Sequence, residues 1–174
     1  GQGRTPNHER VEINVPAGVS SGQQLRVRGY GEAGFRGEAS GDLLVSVAVA
    51  EHERFQRSGD DLVCAIDVSI AQAALGCTVE VPGIMPDETI TFEVTAGTQY
   101  GDTVEVAEFG MPRVGGGGSR GRAIGQVRIL VPRKLPGEAR SHLEKYADAM
   151  GESYTARRSM GDRIRDAIDD ILDQ

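Results

Sequence analysis

Two cysteines and three histidines are the side chains best suited to hold a metal or to attack a carbonyl. Cys64 and Cys77, with His8, His52 and His142, are spread along the chain. Zinc sites draw on close pairs of such ligands, and no pair here has that spacing. A Cys64–Cys77 disulfide and two free thiols in a reducing cytoplasm both fit the sequence, and free thiols are the expectation. Gly29-Tyr30-Gly31-Glu32-Ala33-Gly34 spells out GxGxxG. A dinucleotide site needs that string to open a helix, so that the pyrophosphate meets the helix N-terminus. Phe35 to Gly41 reads instead as more loop. Gly115 to Gly118 lacks the Gly-Lys-Ser/Thr ending of a phosphate loop. No GxSxG or other nucleophile signature occurs, and the histidines lie in separate segments. Asp60-Asp61 suits a turn and Asp169-Asp170 the wet face of a helix. The sequence thus offers no catalytic residue, metal ligand or cofactor site, and no enzyme is expected.

The formal charge of −7 and a pI near 5.0 argue against nucleic acid as a partner, because phosphate contacts need a basic surface. Arg120 with Arg122, and Arg157 with Arg158, are read as scattered surface charge. No apolar run approaches the ~18 residues that span a bilayer, so no membrane partner is expected. With no functional group to position, the remaining candidate is apolar β surface and its strand edges, which can accept an extended peptide by backbone pairing.

The elements follow from periodicity. Val11, Ile13 and Val15 alternate with Glu12 and Asn14, which predicts a half-buried strand. Further strands are expected at 23–27, 43–50, 62–68, 77–81, 89–94, 103–106 and 127–131. Ser69 can cap a short Ala-rich helix that Gly76 ends in the left-handed conformation. The 24 glycines suit a chain rich in tight turns.

An internal repeat organises these strands. Val15-Pro-Ala-Gly18, Gly22, Leu25-Arg-Val27 and Tyr30-Gly31 are matched 79 residues on by Val94-Thr-Ala-Gly97, Gly101, Val104-Glu-Val106 and Phe109-Gly110. After a glycine-rich loop, Gly41 to Val47 is set against Gly125 to Val131. From Pro136 the period becomes helical, with Ala139, Leu143, Tyr146, Ala147 and Met150 on one stripe. A second helical stretch opens at Ser159 with Asp162 and carries Met160, Ile164, Ile168, Ile171 and Leu172. The expected fold is mainly β: two tandem β-sandwich-like domains, at 1–56 and 57–134, then a helix at 135–151 and an amphipathic tail helix at 152–174.

Val15-Pro-Ala-Gly-Val19, Gly31-Glu-Ala-Gly34, Gly41-Asp-Leu-Leu-Val45 and His52 with Phe55 form an ordered set. Gly59-Asp-Asp-Leu62, Ala73-Ala-Leu-Gly76 and Val79-Glu-Val-Pro82 continue it. As a set, they resemble the C-terminal substrate-binding and dimerisation region of zinc-containing DnaJ-family co-chaperones. Gly1-Gln-Gly-Arg4 resembles the end of a CxxCxGxG zinc repeat. The resemblance implies a fragment without the J-domain or zinc module, with zinc only in the full-length protein. It implies a first β-domain lacking the strands that precede the zinc module, with Val11 to Val15 left with an open edge or an uncovered apolar face. It implies a cytoplasmic homodimer that binds unfolded polypeptides and delivers them to a DnaK-type chaperone. The family's substrate groove falls on Val11 and Val45, and Ile13 and Val47 join them by neighbourhood. Dimerisation falls on Ala139, Leu143, Tyr146, Ala147 and Met150. The alternative is an architectural dimerisation module whose valines are simply core.

Overall fold

The computed structural model describes residues 10–32, 34 and 38–154. Two compact units divide at Val131 and Pro132. The first unit is mainly β. Its strands are β1 (Gln24–Val27), β2 (Leu43–Ser46), β3 (Gln56–Ser58), β4 (Asp61–Ser69), β5 (Cys77–Pro82), β6 (Thr89–Val94), β7 (Thr103–Val106) and β8 (Ala123–Leu130). A short helix, α1 (Ile70–Leu75), follows β4, and α2 (Gly137–Met150) belongs to the second unit.

The core lies in the part of the first unit that follows the first repeat copy. A four-stranded sheet runs β3-β4-β8-β7, antiparallel except for the parallel pair β4–β8, and β5 and β6 form a separate hairpin. Along β4, Leu62, Cys64, Ile66 and Val68 all point inward, as period-2 alternation requires. Ile90, Phe92 and Val94 do the same in β6. These residues join one apolar cluster with Phe55, Ala73, Val81, Ala123 and Val127, so the hairpin packs face to face on the sheet. Gly125 in β8 makes that approach possible. A Cβ there would stand 3.0 Å from the Phe92 ring and 3.1 Å from Ile66.

Ser69 caps α1 as expected, in a capping box with Gln72, and Gly76 ends it. Gly76 has φ 84° and ψ 155°, so the exit has positive φ but is not the left-handed helical conformation predicted. Strand β8 begins at Ala123, four residues before the predicted start, because its parallel pairing with β4 starts at Leu62–Ala123. Strand β3 escapes sequence reading, since Gln56-Arg57-Ser58 has no apolar alternation and exists by pairing with β4.

The repeat extends to individual hydrogen bonds. In the first copy the Gly22 amide donates to Val47 O (2.8 Å), that of Val47 to Gln23 O (2.9 Å) and that of Gly31 to Gly41 O (2.8 Å). The second copy has Gly101 to Val127 O (2.9 Å), Val127 to Asp102 O (2.8 Å) and Gly110 to Gly121 O (2.8 Å). Strands β1 and β2 pair antiparallel with Leu25 opposite Val45, and β7 and β8 pair with Val104 opposite Gly125. This register corrects the alignment of the return strand. Gly41 corresponds to Gly121, not Gly125, and Val45 to Gly125. The loop from Gly110 to Gly121 is only one residue longer than that from Gly31 to Gly41.

Residues 11–15 correct a second expectation, for they form no strand. Their second-copy counterpart is β6, held by a full ladder to β5. Among the described residues, nothing pairs with 11–15 in that way. Backbone donors and acceptors without a partner strand give no reason to hold an extended ladder conformation. Val11 and Ile13 are half-buried and Val15 is exposed, where Ile90, Phe92 and Val94 are buried.

In the second unit, α2 ends at Gly151 in the left-handed conformation (φ 70°, ψ 25°). The Glu152 amide donates to Ala147 O at 2.9 Å, closing the helix in a glycine-terminated turn. No residue of α2 is buried. The predicted helix after Ser159 lies outside the described residues.

The Gly125–Phe92 contact yields a stability prediction. Gly125→Val should destabilise the fold by about 1–3 kcal/mol or more, the usual cost of overfilling a packed core. Urea unfolding checks it, and an unchanged midpoint would contradict the packing described.

Candidate functional site

Strand β2 carries one of the predicted binding residues, Val45, and a second, Val47, follows just past its end. Leu43, Val45 and Val47 are half-buried on one face, and Leu44 on the other face is 58% exposed. Val45 lies opposite Leu25 and Leu43 opposite Val27 in β1. Val47, just past the strand, is held by the exchange of bonds with Gly22 and Gln23. One edge of β2 is thus satisfied by β1. Among the described residues its other edge has no strand partner, whereas the counterpart β8 is bonded on both edges.

The predicted groove residues are therefore not all brought together by pairing. Val45 and Val47 share a face. Val11 and Ile13 lie in a run without regular structure, which no ladder among the described residues joins to β1 or β2. Across the repeat, Ile13 corresponds to Phe92 and Val45 to Gly125, the two positions in contact in the second copy. There the aromatic ring fills the space over the glycine. In the first copy, two aliphatic side chains that stay half-exposed occupy the matching positions. Leu44 was missed from sequence because alternation assigned it to the solvent face, which is where it lies.

Charged groups around these strands act as ties. Arg26 pairs with Asp42 at 3.5 Å, and at the corresponding positions Glu105 pairs with Arg122 at 2.9 Å with the signs exchanged. Asp42 also accepts from the Gly29 amide. The Arg122 guanidinium and amide hold the Asp61 carboxyl below its usual range. A two-pronged contact from Arg128 does the same for Asp67. Among the described residues, Glu88 and Arg120 form the least exposed pair. Arg120 binds both carboxylate oxygens and donates through Nε to Gly110 O at 2.8 Å, joining the β5–β6 turn to the loop after β7. Hydrogen bonding by Arg120 lowers the Glu88 carboxyl.

The residues weighed for catalysis are likewise occupied by structure. His52 Nδ1 accepts from the Arg54 and Phe55 amides at 3.1 and 3.3 Å, capping the turn into β3. Cys64 and Cys77 are free thiols, and burial pushes the Cys64 thiol up, away from the reactive thiolate. Around the GxGxxG string, Gly29 takes a positive φ of 76° and Gly31 bonds to Gly41, so the described part of it is strand connection. No described helix is long and apolar enough to cross a membrane.

This arrangement of two β repeats followed by a helix has known relatives. The family model for the DnaJ C terminal domain matches residues 3–132. The chain belongs to that family. It is 39% identical over 164 residues to the chaperone protein DnaJ of Streptococcus pyogenes, covering 93% of this chain and 43% of the relative. It is 39% identical over 158 residues to the chaperone protein DnaJ of Natronomonas pharaonis, covering 91% and 41%. With that of Chlamydia trachomatis serovar L2 it shares 36% over 172 residues, covering 98% and 44%. The chain thus spans less than half the length of these DnaJ relatives.

The depressed carboxyls make stability fall in acid. A group whose folded pKa lies below its unfolded value stabilises the fold above the unfolded pKa. That contribution is lost as pH falls through the folded pKa. The parent's melting temperature should therefore drop between about pH 5 and pH 2, and the drop should be shallower in Glu88→Gln, which has no such carboxyl to protonate. Equal slopes in thermal melts across that range would contradict the assignment.

Proposed function

We propose that this chain is the polypeptide-binding and dimerising part of a DnaJ-family co-chaperone, and that it holds extended apolar segments of unfolded proteins along β2. The observation that carries this reading is β2 itself, with Leu43 and Val45 half-buried on one face, Leu44 exposed on the other and, among the described residues, a strand partner along one edge only, where its repeat counterpart is bonded on both. An extended client segment would donate and accept backbone bonds along the other edge. Its side chains would contact Val45 and Val47, with Val11 and Ile13 alongside. Each buried Leu- or Phe-sized side chain contributes roughly 1.5–3 kcal/mol before ordering costs, so affinity is at best about micromolar. In the full-length protein the clients would pass to a DnaK-type chaperone. We place no nucleotide, metal or catalytic step in these residues; zinc belongs, in this reading, to the full-length protein, and the setting is the cytoplasm.

Val45→Asp should abolish suppression of aggregation of an unrelated denatured protein while leaving the second repeat copy folded. Full activity in that variant would refute the groove assignment.

The second reading, an architectural dimerisation module without client binding of its own, is favoured by α2. Leu143, Tyr146 and Met150 on its apolar stripe are exposed, as is Ala139, and Ala147 is half-buried. A two-fold pairing of identical stripes is the commonest way to cover such a surface. The same helix would serve as the dimer contact in the co-chaperone reading. Light scattering across a dilution series should show a dimer for the parent and a monomer for Leu143→Asp, which sets a charge in the apolar contact. A parent that is monomeric at tens of micromolar would remove dimerisation from both readings.

A further inference from the structure

The two repeat copies are joined by a connector that does little to fix them. Residues 48–54 are exposed throughout, and their hydrogen bonds stay local or return to the first copy, as from the Val49 amide to Ser21 Oγ. Among the described residues, the hydrogen bonds between the segment 10–50 and the segment 55–131 all come from Arg57. Its Nη1 donates to Val19 O at 2.7 Å and its Nη2 to Gly18 O at 2.6 Å. Its Nε donates to Gly59 O at 2.7 Å, in the turn leading from β3 to β4. One guanidinium therefore spans from the β3–β4 turn to a turn of the first copy, and all three acceptors are main-chain carbonyls.

That turn is docked as well as bonded. Gly18 has φ 82°, and a Cβ there would fall on the carbonyl of Pro112, with Val114 Cγ2 beyond it at 3.7 Å. The repeat provides an internal control. Gly97 occupies the same place in the second copy with φ 83°, yet nothing lies within 4 Å of its Cβ position. The turn's own backbone thus explains the positive φ at both sites, but only the contact with the 112–114 loop explains the close approach at Gly18.

We propose that the turn 16–19 is a latch that sets the angle between the two repeat copies. In this inference Arg57 is its bolt, and the bare backbone of Gly18 is the surface that fits against Pro112. A planar guanidinium with parallel donors matches two successive carbonyls, and a lysine ammonium would not span them in the same way. The consequence is mechanical: β2 is carried at a set orientation to the second copy, without a stiff connector. The latch does not depend on what β2 binds.

Residual dipolar couplings of backbone amides, measured on the full chain, test it. In the parent, couplings from both copies should fit one alignment tensor. In Arg57→Ala and Gly18→Ala the common fit should be lost, or the angle between the copies should change, with Arg57→Lys showing the same defect in Arg57→Ala's direction. Gly97→Ala carries the same backbone strain without the docking, and should keep the parent orientation. Hydrogen-exchange protection of the Gly22 and Val47 amides reports whether the first copy is still folded in each variant. Two tensors in the parent, or the parent orientation retained in folded Arg57→Ala, would overturn the proposal.

Discussion

Phe92 of β6 rests on Gly125 of β8, where a Cβ would stand 3.0 Å from its ring. A glycine inside a strand normally weakens it, since it packs nothing and loses more freedom on ordering. Here it lets the hairpin approach the sheet and bury the Phe92 ring completely. Strand β8 tolerates it because both its edges are bonded, to β4 in parallel and to β7 in antiparallel. The position of the β5–β6 hairpin, the burial of Ile66 and Ile90 and the Glu88–Arg120 tie at the hairpin's end all follow from that approach.

The first copy uses the same turn, register and hydrogen bonds with a different filling. Val45 stands where Gly125 does, and Ile13 where Phe92 does. Two aliphatic side chains in place of a ring on a bare backbone do not interlock in the same manner. Residues 11–15 also have no described partner strand comparable to β5. Related sequence patterns therefore give a closed core in one copy and half-exposed apolar surface in the other. That difference separates a closed copy from one whose apolar strand stays half-exposed.

The ion pairs around these strands add orientation more than stability. Arg26–Asp42 and Glu105–Arg122 bridge corresponding positions with exchanged signs, and both are largely exposed, so each contributes little in water. Arg120 is different, being shielded and bonded to Glu88 and to the Gly110 carbonyl at once. Removing one member would leave the other charge poorly hydrated, which costs more than the pair contributes. Arg57 differs again, for its acceptors are main-chain carbonyls and its removal leaves no charge behind.

Much was legible in the residues themselves. Alternation located β4, β6 and β7, because each has a paired neighbour strand and one face turned at least partly inward. Ser69 and Gly76 marked the two ends of α1 through purely local hydrogen bonds. The spacing of Pro16-Ala-Gly18 and Thr95-Ala-Gly97 disclosed the duplication, since turn chemistry is written in adjacent residues. What pairing decides was not legible. Val11-Glu-Ile-Asn-Val15 alternates as well as Thr89 to Val94, yet forms no strand, because a ladder needs a partner that no local pattern supplies. Gln56 to Ser58 shows the reverse, a strand without a pattern, imposed by β4. Whether Val45 is core or surface, and whether Arg57 is a solvated charge or a clasp on a distant turn, depends on neighbours tens of residues away in sequence. Only the tertiary structure brings those neighbours within bonding distance.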